Sequence, residues 1–188
     1  ITLCQGESGK VLLRLSNNPN RKLQYTWELG HNGNCWICVN TQRANEVAFE
    51  AVSENKIPEL SSYQNIEREK KYGKNARIDV LLSNENALCY VEVKSVTLIH
   101  EGKYTFPDTP TERGRKHLDE LMEMKKEGHR AVMLFIVMRS DAKGFEAAAH
   151  IDPKYAKKLK EAKLKGVEVL AYNTSINGKS IVIGSREQ

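Results

Sequence analysis

Apolar and polar positions change period several times along the chain, and each change marks an element. Short runs open the sequence: LCQG, KVLLRL and QYTWELG, separated by the turn-rich stretches SNNPN and HNGN. They predict β pieces, and CWICV at 35–39 predicts one more strand. At residue 41 the period becomes helical. Ala44, Val47, Ala48, Ala51 and Val52 make one apolar face, Asn40 or Thr41 can cap it, and Asn55 and Pro58 end it. IEREKKYG (66–73), ARIDVLLS (76–83) and LCYVEVKSVTL (88–98) then read as strands, the last two rich in β-branched residues.

After the loop FPDTP, residues 111–128 predict a charged helix. Thr111 is its cap, Gly128 its stop, and Leu118, Leu121 and Met122 face inward. RAVMLFIVMR (130–139) is a continuous apolar run, the signature of a strand buried on both faces. A basic helix follows over 152–166 with Pro153 in its first turn, then the strands VEVLAY and SIVIG. This order predicts an α/β fold with a mixed β-sheet flanked by helices.

Composition narrows the class. The chain has 188 residues, 40% of them hydrophobic and 28% charged, enough for a core that needs no staples. No apolar run approaches the roughly 20 residues of a spanning helix, so no membrane contact is expected. No signal-peptide pattern is visible, but the chain opens on Ile1 rather than Met, which weakens that observation. Cys4, Cys35, Cys38 and Cys89 make no disulfide framework. The Cys35–Cys38 pair lacks a second ligand pair for zinc and lies in an apolar run, so buried thiols in a reducing cytoplasm are expected. The net charge of +5 comes from clusters. These are Lys70, Lys71, Lys74 and Arg77; Arg113, Arg115 and Lys116; and the lysines from 154 to 165. They suit a polyanionic partner, and equally a lysine-rich solvated surface.

One constellation carries chemistry. Glu92 and Lys94 stand two apart on a strand and leave the same face. Folding residues 76–95 about the turn at Ser83–Asn86 pairs positions that sum to 171. Asp79 then lies opposite Glu92, and Arg77 opposite Lys94. Opposed Cβ atoms are roughly 4.5–5.5 Å apart. This register sends Ile78, Val80, Val91 and Val93 to the other, core-forming face. Two carboxylates so close repel unless a cation separates them. A hard cation such as Mg²⁺ or Mn²⁺ takes one or two protein carboxylates plus water and phosphate oxygens. Lys94 can assist an attacking water or a developing negative charge. The same spacing also fits a solvated strand face with a cross-strand ion network.

The pattern D-x12-E-V-K, with a helix before it and a helix and strand after, resembles the PD-(D/E)XK nuclease superfamily. More closely, YTWEL, ICVNT, KYGKNARIDVLL, YVEVKSVTL, FPDTPTERGRKHLDEL, HIDPKY and GVEVLAY resemble the sugar fermentation stimulation protein A family over nearly the whole chain. Ile78 stands where the superfamily often has Pro. The resemblance implies an OB-like β domain over 1–36, with its first strands lying before Ile1, and a PD-(D/E)XK nuclease-like domain over 37–188. It implies catalytic Asp79, Glu92 and Lys94, and Mg²⁺ or Mn²⁺ on Asp79 and Glu92. An acidic residue from the first helix often joins such a set; Glu50 is preferred and Glu69 is its rival. Lys71, Lys74, Arg77, Arg113, Lys116 and His117 are the candidate nucleic-acid contacts. DNA is the implied partner, RNA a second one, and a homodimer is compatible with both. Two functions follow: a metal-dependent nuclease, or a DNA-binding regulator of sugar-utilisation genes that does not cut.

Overall fold

The computed structural model describes residues 9–72 and 76–188. Three strands come first: β1 (Val11–Leu15), β2 (Tyr25–His31) and β3 (Trp36–Cys38), in an antiparallel sheet of that order. Helix α1 (Gln42–Ser53) follows. Its start is capped by Asn40, whose Oδ1 accepts from the Gln42 N–H at 3.2 Å. Then come β4 (Asn65–Tyr72), β5 (Ala76–Ser83), β6 (Leu88–Val96), β7 (Leu98–His100) and β8 (Lys103–Phe106). Helix α2 (Glu112–Lys126), β9 (Arg130–Val137), β10 (Phe145–Ala147), helix α3 (Pro153–Leu164), β11 (Glu168–Ile176) and β12 (Ile181–Arg186) complete the chain.

The central sheet has six strands in the order β12-β11-β9-β6-β5-β4. Strands β6, β9 and β11 run parallel, and β4, β5 and β12 pair antiparallel. The sheet is therefore mixed and flanked by helices, as the sequence pattern predicts. On one side α1 lays Ala44, Val47, Ala48, Ala51 and Val52 on Val80, Val91, Val93, Leu134 and Ile136. On the other, α2 and α3 bury Leu118, Leu121, Tyr155 and Leu159 against Tyr90, Val96, Met133 and Phe135. Strand β9 has helices over both faces, and its seven residues from Ala131 to Val137 are fully buried. Met124 completes the inward face of α2, while Met122 is only partly buried. No helix among the described residues is long and apolar enough to cross a membrane.

Two caps fix where α2 and α3 begin. Thr111 Oγ1 accepts from Gly114 N at 2.9 Å, and Asp152 Oδ1 accepts from Tyr155 N at 2.9 Å. The second Asp152 oxygen binds the Thr111 N–H at 2.9 Å and Arg115 at 2.5 Å, so one carboxylate ties both helix starts together. Gly114 must be glycine for packing: a Cβ there would lie 2.7 Å from Thr111 Cγ2 and 3.1 Å from Tyr155 Cε2.

A three-stranded sheet of β10, β8 and β7 has no counterpart in the sequence reading. Its hairpin turns through Glu101 and Gly102, both with positive φ, between paired His100 and Lys103. That is the backbone of a tight two-residue hairpin, carried by Glu-Gly where Asn-Gly or Asp-Gly is the recognisable signal.

Candidate active site

The register of β5 on β6 is the one the turn symmetry predicts. Val80, Leu81, Leu82 and Ser83 face Val91, Tyr90, Cys89 and Leu88, so paired positions sum to 171. The ladder stops at Val80. One residue earlier, the Asp79 carboxylate takes the place of a backbone partner: Oδ2 accepts from the Val93 N–H at 2.8 Å. Opposite Asp79 on β4, Glu69 adopts a left-handed backbone with φ of 50°. The β4–β5 pairing skips these two residues and resumes in the same register on either side. A non-glycine residue held in that region costs about 1–3 kcal/mol, a strain found mostly at functional sites. The distortion also corrects one expectation. Ile78 packs with the α2 and α3 cluster, not with Val80, Val91 and Val93 beneath α1, because the strand changes face at Asp79.

Glu92 and Lys94 leave β6 on the α2 side. That face is not solvated: Glu92 is only 2% exposed. Lys94 Nζ donates to Glu92 Oε1 at 2.5 Å. From α2, His117 bonds the same oxygen through Nδ1, and Lys94 Nζ lies 3.1 Å from that nitrogen. Arg113 Nε donates to His117 Nε2 at 3.3 Å. From α1, Asn45 Nδ2 donates to Asp79 Oδ1 at 2.8 Å. Tyr72, at the end of β4, reaches across to Glu120 of α2 at 3.2 Å. Three helix and strand systems thus converge where β5 and β6 part.

The electrostatics separate the two acids. Burial pushes the Asp79 pKa up, the Glu92 charge pushes it further, and the bonds from Val93 and Asn45 only partly oppose this. Burial also works against the Glu92 charge, but the His117 bond and the Lys94 ammonium outweigh it and hold its pKa below the usual value. The Tyr72 hydroxyl is driven far up by burial and by the charges of Glu120, Glu92 and Asp79.

The donor set fits a hard divalent cation. A carboxylate oxygen has two lone pairs, so each Asp79 oxygen keeps one after its bond to Asn45 or Val93. No hydrogen bond to Glu92 Oε2 occurs among the described residues, which leaves that oxygen available. The repulsion that raises the Asp79 pKa is what a cation between the two carboxylates would relieve. Among the described residues no three His, Cys, Asp or Glu side chains are grouped as a metal cage. Two carboxylates suit Mg²⁺ or Mn²⁺ chemistry, where water and phosphate oxygens complete the shell.

The other expected residues sort clearly. Glu50 is exposed and lines a cleft between α1, β1 and β12 with Leu12 and Val182. It sits about 140° around the helix from Asn45, so it points away from Asp79. Its rival Glu69 is 67% exposed at the side chain and pairs with Arg77 at 3.3 Å. The first-helix side chain that does reach Asp79 is Asn45, a neutral amide that an acid-based search passes over. His117 lies within the site, with its side chain 14% exposed and both ring nitrogens bonded to protein partners. Arg77 lies beyond the end of the β5–β6 ladder and faces Lys71 on β4 rather than Lys94. Lys71, Arg77, Arg113 and Lys116 are all exposed. Lys74 lies outside the described residues. Trp27 and Trp36 are partly buried, and Trp27 Nε1 donates to Leu29 O at 2.8 Å. Cys38 and Cys89 are buried free thiols, pushed up by burial to about 11 and about 12, whereas Cys35 is only partly covered.

Family comparison matches the chain to two consecutive models. Residues 3–39 match the family model described as the SfsA N-terminal OB domain. Residues 42–180 match that of the sugar fermentation stimulation protein RE domain. The chain belongs to the sugar fermentation stimulation protein family. It is 53% identical over 179 residues to the homolog from Psychromonas ingrahamii, covering 92% of this chain and 78% of that one. The Pseudoalteromonas atlantica homolog is 49% identical over 187 residues, 97% of this chain and 80% of its own. Among solved structures, that of Pyrococcus furiosus SfsA in complex with Ca²⁺ superposes with a TM-score of 0.84 at 26% identity. The match covers 95% of this chain and 76% of that one.

Proposed function

We propose that this protein is a divalent-cation-dependent nuclease that hydrolyses phosphodiester bonds in DNA or RNA. The observation that carries this reading is the meeting of Asp79, Glu92 and Lys94 in one buried notch, at the point where β5 stops pairing with β6. Asp79 and Glu92 would hold Mg²⁺ or Mn²⁺. That cation supplies Lewis-acid polarisation of a phosphoryl oxygen and a more acidic water. The Ca²⁺ complex of the Pyrococcus furiosus relative supports an oxygen-ligand cation in this family.

The chain's own residues do the rest. Lys94 offsets one of the two carboxylate charges before a cation arrives and would donate to a phosphate oxygen or orient a water. Asn45 and the Val93 N–H hold the Asp79 carboxylate in one orientation. Lys71, Arg77, Arg113 and Lys116 border the notch and would take phosphates without reading bases, with Lys74 joining them. We assign residues 1–36 to the OB-like β domain and 37–188 to the nuclease-like domain.

The second reading, a DNA-binding regulator that does not cut, draws on the family's description as sugar fermentation stimulation proteins. Purified protein incubated with labelled DNA and RNA, with Mg²⁺, Mn²⁺ or EDTA, separates the two. Cleavage that needs the metal and disappears in Glu92→Gln supports the nuclease. Salt-sensitive binding with no cleavage under any metal condition supports the regulator.

A further inference from the structure

His117 comes from α2, outside the strand pair that carries Asp79, Glu92 and Lys94, and its side chain is 14% exposed. Its two ring nitrogens are used differently. Arg113 Nε can only donate, so Nε2 must accept the bond measured at 3.3 Å. At the other nitrogen Glu92 Oε1 is a carboxylate oxygen that can only accept, so Nδ1 carries a proton and donates it there. Lys94 Nζ, 3.1 Å from Nδ1, directs its own proton to the same oxygen. Glu92 Oε1 is thereby tied down from two directions, and among the described residues Oε2 has no hydrogen-bond partner.

Resting on the metal-site reading above, we propose that His117 is a positioning residue for the cation. In its Nδ1–H form it donates to Glu92 Oε1, pins the carboxylate, and reserves Oε2 for the metal. Arg113 selects the form by occupying Nε2. The arrangement is an outer-shell one, in which a group that never touches the ion sets the orientation of one that does. Losing such a partner typically costs about 10–100-fold in metal affinity.

Replacement by the two carboxamides separates this role from simple packing. In Asn the side-chain N–H falls near the Nδ1 position, and in Gln near the Nε2 position. Mn²⁺ affinity of the full chain, measured by calorimetry without nucleic acid, is expected to fall about tenfold in His117→Gln and to stay within about threefold of wild type in His117→Asn. Thermal melts without metal establish that both variants are folded. Long-range ¹H–¹⁵N correlation of wild type is expected to show Nδ1 protonated and Nε2 bare. A proton on Nε2, or wild-type Mn²⁺ affinity in folded His117→Gln, overturns the positioning role and leaves the metal site standing. Wild type that binds no Mn²⁺, or binds it equally well in Glu92→Gln, overturns the site and this role together. If His117→Gln does not fold, the imidazole spectrum alone decides.

Discussion

Two acidic clusters are drawn in from solvent in this molecule, and they are built on opposite principles. At the joint between the first sheet and α1, Glu28 receives Arg14 at 2.6 Å, Arg43 at 2.9 and 3.1 Å and Asn40 at 3.0 Å. Burial alone would raise its pKa, but these partners bring it down to about 2. Every lone pair has a donor and the charge is balanced. At the strand parting the count fails: Asp79 and Glu92 share one nearby lysine, and Asp79 is left with its pKa raised. A saturated buried acid is a rivet. An under-compensated pair, more deeply buried and with fewer donors, is where a cation would settle on the proposed reading.

The sharpest way to break this comparison is to alter the acids themselves. Glu92→Gln and Asp79→Asn should each lower metal-dependent cleavage by more than about 100-fold, beyond the range of outer-shell changes. Binding of nucleic acid in EDTA should persist or rise, because a carboxylate that repels phosphate is gone. Gel-based cleavage and binding assays on the same preparations test both halves. Lys94→Ala should lose cleavage as well, with a slight drop in affinity.

Glu28→Gln should do the converse. It takes the carboxylate from Arg14, leaves Arg43 with Glu46 alone, and should cost about 2 kcal/mol. In a chain of this size that is about 4–8 °C of melting temperature. Mn²⁺ should raise its melting point by as much as that of wild type, because a ligand specific for the folded state stabilises by mass action. A Glu28→Gln protein that no longer responds to Mn²⁺ would dissolve the distinction between the two clusters.

Acid titration gives a smaller and oppositely signed pair of effects. The folded pKa of Glu28 is depressed, so its contribution is complete above the ordinary 4.5 and is lost as pH falls towards about 2. That of Asp79 is raised, so the folded state takes up its proton first, and acidification through that interval favours folding. Melting curves between about pH 6 and about pH 3 should therefore fall less steeply in Glu28→Gln than in wild type, and more steeply in Asp79→Asn. The smallest effect belongs to the rim. Lys116→Ala should lower the slope of log affinity against log salt by about 1, without changing sequence preference.

The sequence exposed the site's ingredients better than its surroundings. A tight turn sets the β5–β6 register, so turn symmetry alone gives the pairing from Val80 to Ser83 that leads up to Asp79. The fully apolar run of β9 announced a strand covered on both sides. What remained hidden depends on which flank of an element meets which neighbour. Glu50 and Asn45 both border the apolar stripe of α1, and only the placement of α1 against the β5–β6 parting decides that Asn45 reaches Asp79. His117 was visible as a histidine beside basic residues, but its partner Glu92 is 25 positions away. The face change at Asp79 follows from the left-handed Glu69 on the neighbouring strand, and glutamate gives no hint of that backbone. The β7–β8 hairpin is too short for period-2 alternation to register.

The bond from Val93 N–H to the Asp79 side chain gives position 79 two masters. A saturation library there, screened for soluble folded protein, would keep whatever short side chain presents an oxygen to that amide, charged or not. The same library screened for metal-dependent turnover would keep the carboxylate alone. The two screens would return different alphabets at one position. The residues that pass the first and fail the second would be inert but properly folded proteins, the raw material from which a binding protein without catalysis can arise.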